Sequence, residues 1–170
     1  MDNTKEIIRR LDRSFTRRLK RADYSDHEAC TAFQHRHGMK GWEIFFMPEE
    51  MNYDDCLSKL SPDDVVFDVG AGDLRFDLMM AEKVKKVYAV EINPNIIAPA
   101  LHIIGYDLPV NLIPICADAF KMELPRDVTV VTCLMIHREQ DFTESWKKCR
   151  TIYARKDGVV EVKAINHAYH

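Results

Sequence analysis

Acidic side chains and glycines follow three successive apolar segments of this chain. The run Asp68-Val69-Gly70-Ala71-Gly72-Asp73 ends the first, Glu91 closes the second 23 residues after Asp68, and Ala117-Asp118-Ala119 follows the third. Glycines let the chain turn sharply and let a ligand approach the backbone. A carboxylate can accept hydrogen bonds from two ribose hydroxyls, and another can accept one from the exocyclic amine of adenine. Each acid alone also fits an ordinary loop carboxylate, but the combination predicts a nucleoside site.

The surrounding pattern predicts the elements that position these residues. From Val65 onwards, short β-rich apolar runs alternate with segments of helical period. This alternation indicates βαβ units, a doubly wound and mostly parallel sheet, and helices on both of its faces. The predicted strands are 65–69, 87–90, 112–116, 128–134 and 159–164, and the predicted helices after residue 50 are 52–60, 74–85, 95–104 and 142–155.

The three motifs resemble those of a known family. V-V-F-D-V-G-A-G-D, V-Y-A-V-E-I-N and C-A-D-A-F are similar to motifs I, II and III of class I S-adenosylmethionine-dependent methyltransferases. The resemblance covers about residues 45–165 and extends to small archaeal-type members related to seven-strand protein lysine methyltransferases. It implies a Rossmann-like α/β fold, S-adenosylmethionine as methyl donor and S-adenosylhomocysteine as product. The fold's common last two strands have no counterpart, so we expect a bare edge on the fifth strand, covered by the N-terminal segment or by a second copy.

The resemblance also implies a role for each motif. Asp68 would contact the methionine end of the cofactor, Glu91 would hold the ribose, and Asp118 would meet the adenine amine. Ile92 would pack on the adenine, and Leu134 would border the sulfonium. The expected cofactor-binding residues are Asp68, Val69, Gly70, Ala71, Gly72, Asp73, Glu91, Ile92, Asn93, Ala117, Asp118, Ala119 and Leu134.

Other chemistries fit this sequence less well. A dinucleotide fingerprint asks for a third glycine where Arg75 stands, and the flanking acids oppose a diphosphate, so a nicotinamide dinucleotide is the weaker alternative. Leu74 occupies the position of the methyltransferase family's third glycine. No Asn-Pro-Pro-Tyr-type signature follows the fourth predicted strand. His137, at the mouth of that strand, is the candidate base, with an ordinary loop histidine as the alternative.

Residues 1–42 are predicted to form a basic helix and a lid or cap, ahead of a methyltransferase-like domain over residues 43–170. The first 24 residues hold 8 basic and 4 acidic side chains, whereas the rest holds 16 and 23. A basic helix permits RNA binding or docking on the acidic body, and an acidic body suits a basic protein. His27, Cys30, His35 and His37 could hold zinc, but their spacing matches no common zinc module, so we expect no metal.

Composition limits the classes of function. The 170 residues are 46% hydrophobic and 30% charged, with a net charge of −3. The longest near-apolar run, 128–136, falls short of the ~20 residues that cross a bilayer. With five cysteines and no leader pattern, we expect a cytoplasmic protein without membrane attachment. The sequence thus predicts a methyltransferase with a weak preference for protein lysine over RNA or a small molecule. The alternative is a non-catalytic module or partner subunit that binds the same nucleoside.

Overall fold

The computed structural model describes residues 2–11, 50–134, 143–155 and 158–162. Within them, a six-stranded sheet has the strand order β3-β2-β1-β4-β5-β6. The elements are α1 (Asp2–Leu11), α2 (Glu50–Ser58), β1 (Val65–Val69), α3 (Arg75–Ala81), β2 (Lys86–Glu91), α4 (Pro94–Ile104), β3 (Leu112–Cys116), β4 (Val130–Cys133), β5 (Arg150–Arg155) and β6 (Gly158–Val162). Short 3₁₀ turns occupy Gly105–Asp107, Ala119–Lys121 and Trp146–Lys148.

The first five strands are parallel, and β6 pairs antiparallel with β5. Strand order runs outward from β1 through β2 to β3, then returns to the other side of β1 with β4. The neighbours β1 and β4 therefore form the topological switch point, where open α/β sheets leave a crevice at the carboxyl ends of the strands. Both strands are buried along their whole length, which explains their near-continuous apolar sequences.

The sheet separates two apolar clusters. Buried side chains of all four described helices pack with Val66 and Ile152 on one face. Phe67 and Tyr153, the next residues along the same strands, pack with Trp146 on the other. This alternation follows from the two-residue period of a strand. Among the described residues, the second face is covered by the turn that carries Trp146 and by the chain after β3.

One predicted helix is wrong. The sequence indicates a helix over 142–155, but residues 150–155 form strand β5, preceded by the 3₁₀ turn. Thr151, Ile152 and Tyr153 are β-branched or aromatic, and each is buried between neighbouring strands and the two clusters. Pairing on both sides therefore overrides the apparent helical period. The predicted last strand is accordingly the sixth, β6, and within the described residues the sheet edge predicted at the fifth strand lies at β6 instead.

The N-terminal helix docks on the body of the protein. Ile7 and Leu11 are buried in the helix-side cluster, where α1 packs against α4 and α3. Arg10 pairs with Asp107 at 2.5 Å, so one basic residue of the helix contacts the acidic body. Residues 12–42 of the predicted helix and lid segment lie outside the described residues. None of the described helices is long and apolar enough to cross a membrane.

Arg150 joins four elements at the amino-terminal edge of the sheet. Its guanidinium donates to Asp64 before β1 at 2.6 Å, to the Lys59 carbonyl after α2 at 3.1 Å, and to Glu161 of β6 at 2.8 Å. The Asp64 carboxylate also accepts from the hydroxyl of Thr129, just before β4, at 3.1 Å. This network holds the strand starts together on the side opposite the predicted site.

Arg150→Met should therefore destabilise the protein. Removing the guanidinium leaves the largely buried Asp64 carboxylate without its cation, at a cost of about 2–3 kcal/mol in the free energy of unfolding. Urea denaturation measures this loss. The control is Lys147→Met, which breaks an exposed ion pair with Glu144 and should cost less than about 0.5 kcal/mol. Equal losses in the two variants would contradict the assigned role of Arg150.

Candidate functional site

The structure brings the three sequence motifs together at the carboxyl edge of the sheet. The amide of Gly72, in the loop after β1, donates to the Glu91 carboxylate at the end of β2 at 2.9 Å. The amide of Ala117, just after β3, donates to the Glu91 carbonyl at 3.1 Å. Glu91 thus contacts both neighbouring loops and links the three motifs at this edge of the sheet.

The amides of the glycine loop (residues 70–75) point into the protein. Gly70 and Ala71 both donate to the Val90 carbonyl, at 2.9 and 3.0 Å, and Gly72 donates to Glu91. Positive φ angles of 80° at Gly70 and 61° at Gly72 permit this inward curl, which a residue with a Cβ adopts only with strain. Three consecutive amides are therefore already bonded within the chain.

Two amides in the second half of the loop also form hydrogen bonds within the chain. The Leu74 amide donates to the Ala71 carbonyl at 3.1 Å, and the Arg75 amide donates to the Asp73 carboxylate at 3.2 Å. A phosphate-binding loop instead presents free amides to its anion at the start of a helix. The hydrogen bonds of this loop do not leave such a row of donors.

Glu91 is a buried carboxylate with a defined orientation. Its Oε2 accepts from Gly72, and its Oε1 accepts from the Asn93 amide at 2.8 Å. Asn93 in turn caps α4, because its side chain accepts from the Asn95 amide at 3.0 Å. Glu91 therefore joins the loop after β1 to the start of α4 through both of its carboxylate oxygens.

A cluster of ionisable side chains lies buried at the base of the loop. Asp73 and Arg75 form an ion pair at 2.6 Å in which both side chains are almost inaccessible to solvent. Asp68 accepts a hydrogen bond from the Thr132 hydroxyl, its direct neighbour on β4. Asp77, on α3, is completely buried. Sequence reasoning missed Thr132, although a polar residue in a buried strand beside a motif acid was the available signal.

Burial in this cluster raises the pKa values of two of its acids. Burial raises the pKa of Asp68 to about 6, opposed by the Thr132 hydrogen bond. Burial, followed by the charge of Asp68, raises the pKa of Asp77 well above its usual range. Among the described residues, the acids Asp68, Asp73 and Glu91 around the base of the loop outnumber the cation Arg75. The site therefore favours a ligand that carries positive charge.

The third motif presents a different surface. The Asp118 carboxylate accepts from the Phe120 amide at 3.1 Å and pairs with Lys121 at 3.1 Å. It caps the 3₁₀ turn and stays partly accessible. Ile92 and Phe120 are about half exposed, although both are large and apolar. The edge therefore combines apolar side chains with an accessible hydrogen-bond acceptor.

The remaining predicted residues divide into two groups. Val69, Ala119 and, more loosely, Ala117 and Leu134 are enclosed around the same strand ends. His137 and the histidine–cysteine group, namely His27, Cys30, His35 and His37, lie outside the described residues. Within the described ranges, no group of three or more histidine, cysteine, aspartate or glutamate residues is arranged to hold a metal ion.

Comparison with known proteins finds methyltransferases among both curated relatives and solved structures. No family model matches the chain. A curated relative, a probable ribosomal RNA small subunit methyltransferase A of Methanosarcina barkeri, is 38% identical over 79 residues, which are 46% of this chain and 27% of the relative. The chain therefore spans about a quarter of the length of the curated relatives it matches.

Solved structures share the fold at low sequence identity. Haemonchus contortus phosphoethanolamine N-methyltransferase 1 matches with a TM-score of 0.53 and 14% identity, over 83% of this chain and 35% of that one. M. capricolum TrmK, solved with S-adenosylhomocysteine, matches with a TM-score of 0.50 and 12% identity, over 64% and 51%. The comparison establishes the Rossmann-like fold of such proteins for this chain.

Leu74 yields a prediction about the loop. It adopts a φ of 67° and is completely buried. Leu74→Ala and Leu74→Gly should each lose about 2–4 kcal/mol of unfolding free energy, because both leave a cavity. The glycine variant should be at least as stable as the alanine variant, because only glycine relieves the left-handed backbone.

Leu78 provides the matched control for urea denaturation of these variants. It is equally buried but lies within helix α3, where glycine should be about 1 kcal/mol less stable than alanine. If Leu74→Gly were also about 1 kcal/mol less stable than Leu74→Ala, the left-handed backbone assigned to Leu74 would be contradicted.

Proposed function

We propose that this chain, which has the fold of class I S-adenosylmethionine-dependent methyltransferases, transfers a methyl group from S-adenosylmethionine to a nucleophile. The product would be S-adenosylhomocysteine. The observation that carries the proposal is the inward-bonded glycine loop above a buried acidic cluster. That loop has the motif of a nucleotide-binding turn but offers no row of amides to a phosphate.

The chemistry of the site fits this cofactor. S-adenosylmethionine carries a sulfonium and an ammonium group, and among the described residues of the site the acids Asp68, Asp73 and Glu91 outnumber the cation Arg75. Glu91 would accept hydrogen bonds from the ribose hydroxyls, and Asp118 would accept one from the adenine amine. The apolar side chain of Ile92 would cover a face of the adenine. Asp68 would meet the methionine end.

The reaction requires little acid–base chemistry from the protein. The sulfonium supplies an activated methyl group, whose bond to sulfur breaks as the bond to the nucleophile forms. The positive charge on sulfur disappears in this step, so the acidic cluster contributes to cofactor binding more than to the transition state. The remaining task of the chain is to align the nucleophile and exclude water. A protonated acceptor would need a base, for which His137 stays the candidate.

For the acceptor we propose RNA as the first class to test. Support comes from the curated relative's name, which specifies ribosomal RNA. The acidic body instead favours a basic protein, so protein lysine is the second class and a small molecule the third. The proposed compartment is the cytoplasm. Homodimerisation through the edge of the sheet stays a prediction, and a light-scattering mass equal to one chain would rule it out.

The activity test uses S-adenosylmethionine with a labelled methyl group and the purified full chain. Total RNA, total protein and a metabolite extract serve as separate acceptor pools. Label transferred to any pool, above a heat-inactivated control, supports methyl transfer and identifies the acceptor class. Cofactor binding without transfer to any pool would support the non-catalytic binding module instead.

Asp118→Asn should weaken S-adenosylhomocysteine binding about tenfold or more with little loss of stability. Asparagine still caps the 3₁₀ turn through its oxygen, but its amide then faces the adenine amine with a donor. Calorimetric titration measures the affinity. The hypoxanthine analogue, in which a carbonyl replaces the amine, should be rejected less strongly by this variant than by the unaltered protein. A parallel loss for both ligands would contradict adenine recognition by Asp118.

A further inference from the structure

Asp77 is a buried acid to which the proposed function assigns no role. It lies in the first turn of α3, five residues after Gly72, and its side chain is fully enclosed. Neither carboxylate oxygen accepts a hydrogen bond from another described residue. An ionised carboxylate is costly in such a place, because burial without donors removes all the hydration of its charge.

The group that Asp77 faces is the carboxyl of Asp68. Asp68 and Asp77 are close enough to affect each other directly. Two carboxyl groups can form a hydrogen bond only when one of them is protonated. The two acids differ in their other partners, because Thr132 donates a hydrogen bond to Asp68, whereas no other described residue donates to Asp77. A proton held by this pair is therefore more stable on Asp77.

Other charged groups around Asp68 and Asp77 also disfavour ionisation of both carboxyls. Asp73 in the loop and Glu91 on β2 are acids whose negative charge disfavours a second ionisation nearby. Arg75 is a described cation within the cluster, and its guanidinium forms a bidentate pair with Asp73. From α2, Tyr53 is buried beside the same acids and is itself held neutral, since burial raises the pKa of its hydroxyl.

We propose that Asp77 is a positioning residue that keeps its proton at neutral pH and donates it to Asp68. Asp68 is then held between two donors, the Thr132 hydroxyl on β4 and the Asp77 carboxyl on α3. This fixes its carboxylate below the glycine loop. The role at the methionine end of the cofactor rests on the proposed function, whereas the location of the proton does not.

Three variants separate this role from simple packing. Asp77→Asn is nearly isosteric and keeps a donor toward Asp68, and Asp77→Leu has similar volume but no donor. Asp63→Asn removes a negative charge from an exposed position and serves as the control. Folding of every variant is checked by circular dichroism and urea denaturation. Asp77→Val is the substitute for the leucine variant if the latter does not fold.

The proton itself is measured without any ligand. Infrared spectroscopy of the protein at pH 7 should show the carbonyl stretch of a buried protonated carboxyl, which Asp77→Asn removes and Asp63→Asn retains. The unfolded state releases this proton above pH 4, whereas the folded state keeps it. In this pH range, the contribution of this group should raise the unfolding equilibrium constant about tenfold for each unit of rising pH, so the folded protein becomes less stable. Asp77→Asn should lack that contribution.

Binding of S-adenosylhomocysteine tests the positioning role. We expect Asp77→Asn to bind within about threefold of the unaltered protein, and Asp77→Leu to bind at least about tenfold more weakly. Equal losses of affinity in the two variants would contradict the proposed role of a donor at position 77. Absence of both the infrared band and the pH difference would contradict a protonated Asp77. If the unaltered protein bound no S-adenosylhomocysteine, the proposed function would fail while the spectroscopic result still decided where the proton lies.

Discussion

The arrangement of the site depends on the two oxygens of one buried carboxylate. Glu91 accepts from the amide of Gly72 in the loop after β1 and from the amide of Asn93 at the start of α4. Its carbonyl also accepts from Ala117 after β3. Glu91 therefore positions the glycine loop, the segment after β3 and the start of α4, and it is also the residue proposed to hold the ribose. A change at Glu91 would affect loop geometry and binding together.

The charge of the site follows from the way the loop is bonded. Because its amides are used internally, the local field is set by the acids beneath it and not by free donors. Arg75, the residue that departs from the dinucleotide fingerprint, forms an ion pair with Asp73. Under the proposed function, the βα turn that holds a diphosphate in other proteins would instead bind a cationic nucleoside.

Local sequence signals identified the strands β1 and β3 to the residue and placed the three motifs at one sheet edge. They failed at 142–155, because pairing with β4 and β6, which sequence periodicity does not contain, made a strand of Arg150–Arg155. Contacts between residues that are distant in the sequence could not be predicted either. The contact between Asp68 and Thr132 joins residues 64 positions apart, and the proton of Asp77 follows from enclosure that only the packed helix creates.

The most direct test of the central claim is a calorimetric comparison of ligands for the full chain at pH 7.5. S-adenosylmethionine and S-adenosylhomocysteine are titrated alongside ATP and NAD, which share the adenosine but carry phosphates. The account predicts micromolar binding of the first two and no measurable binding of the phosphorylated pair. Tighter binding of ATP or NAD would show that the loop does accept phosphate and would contradict the account.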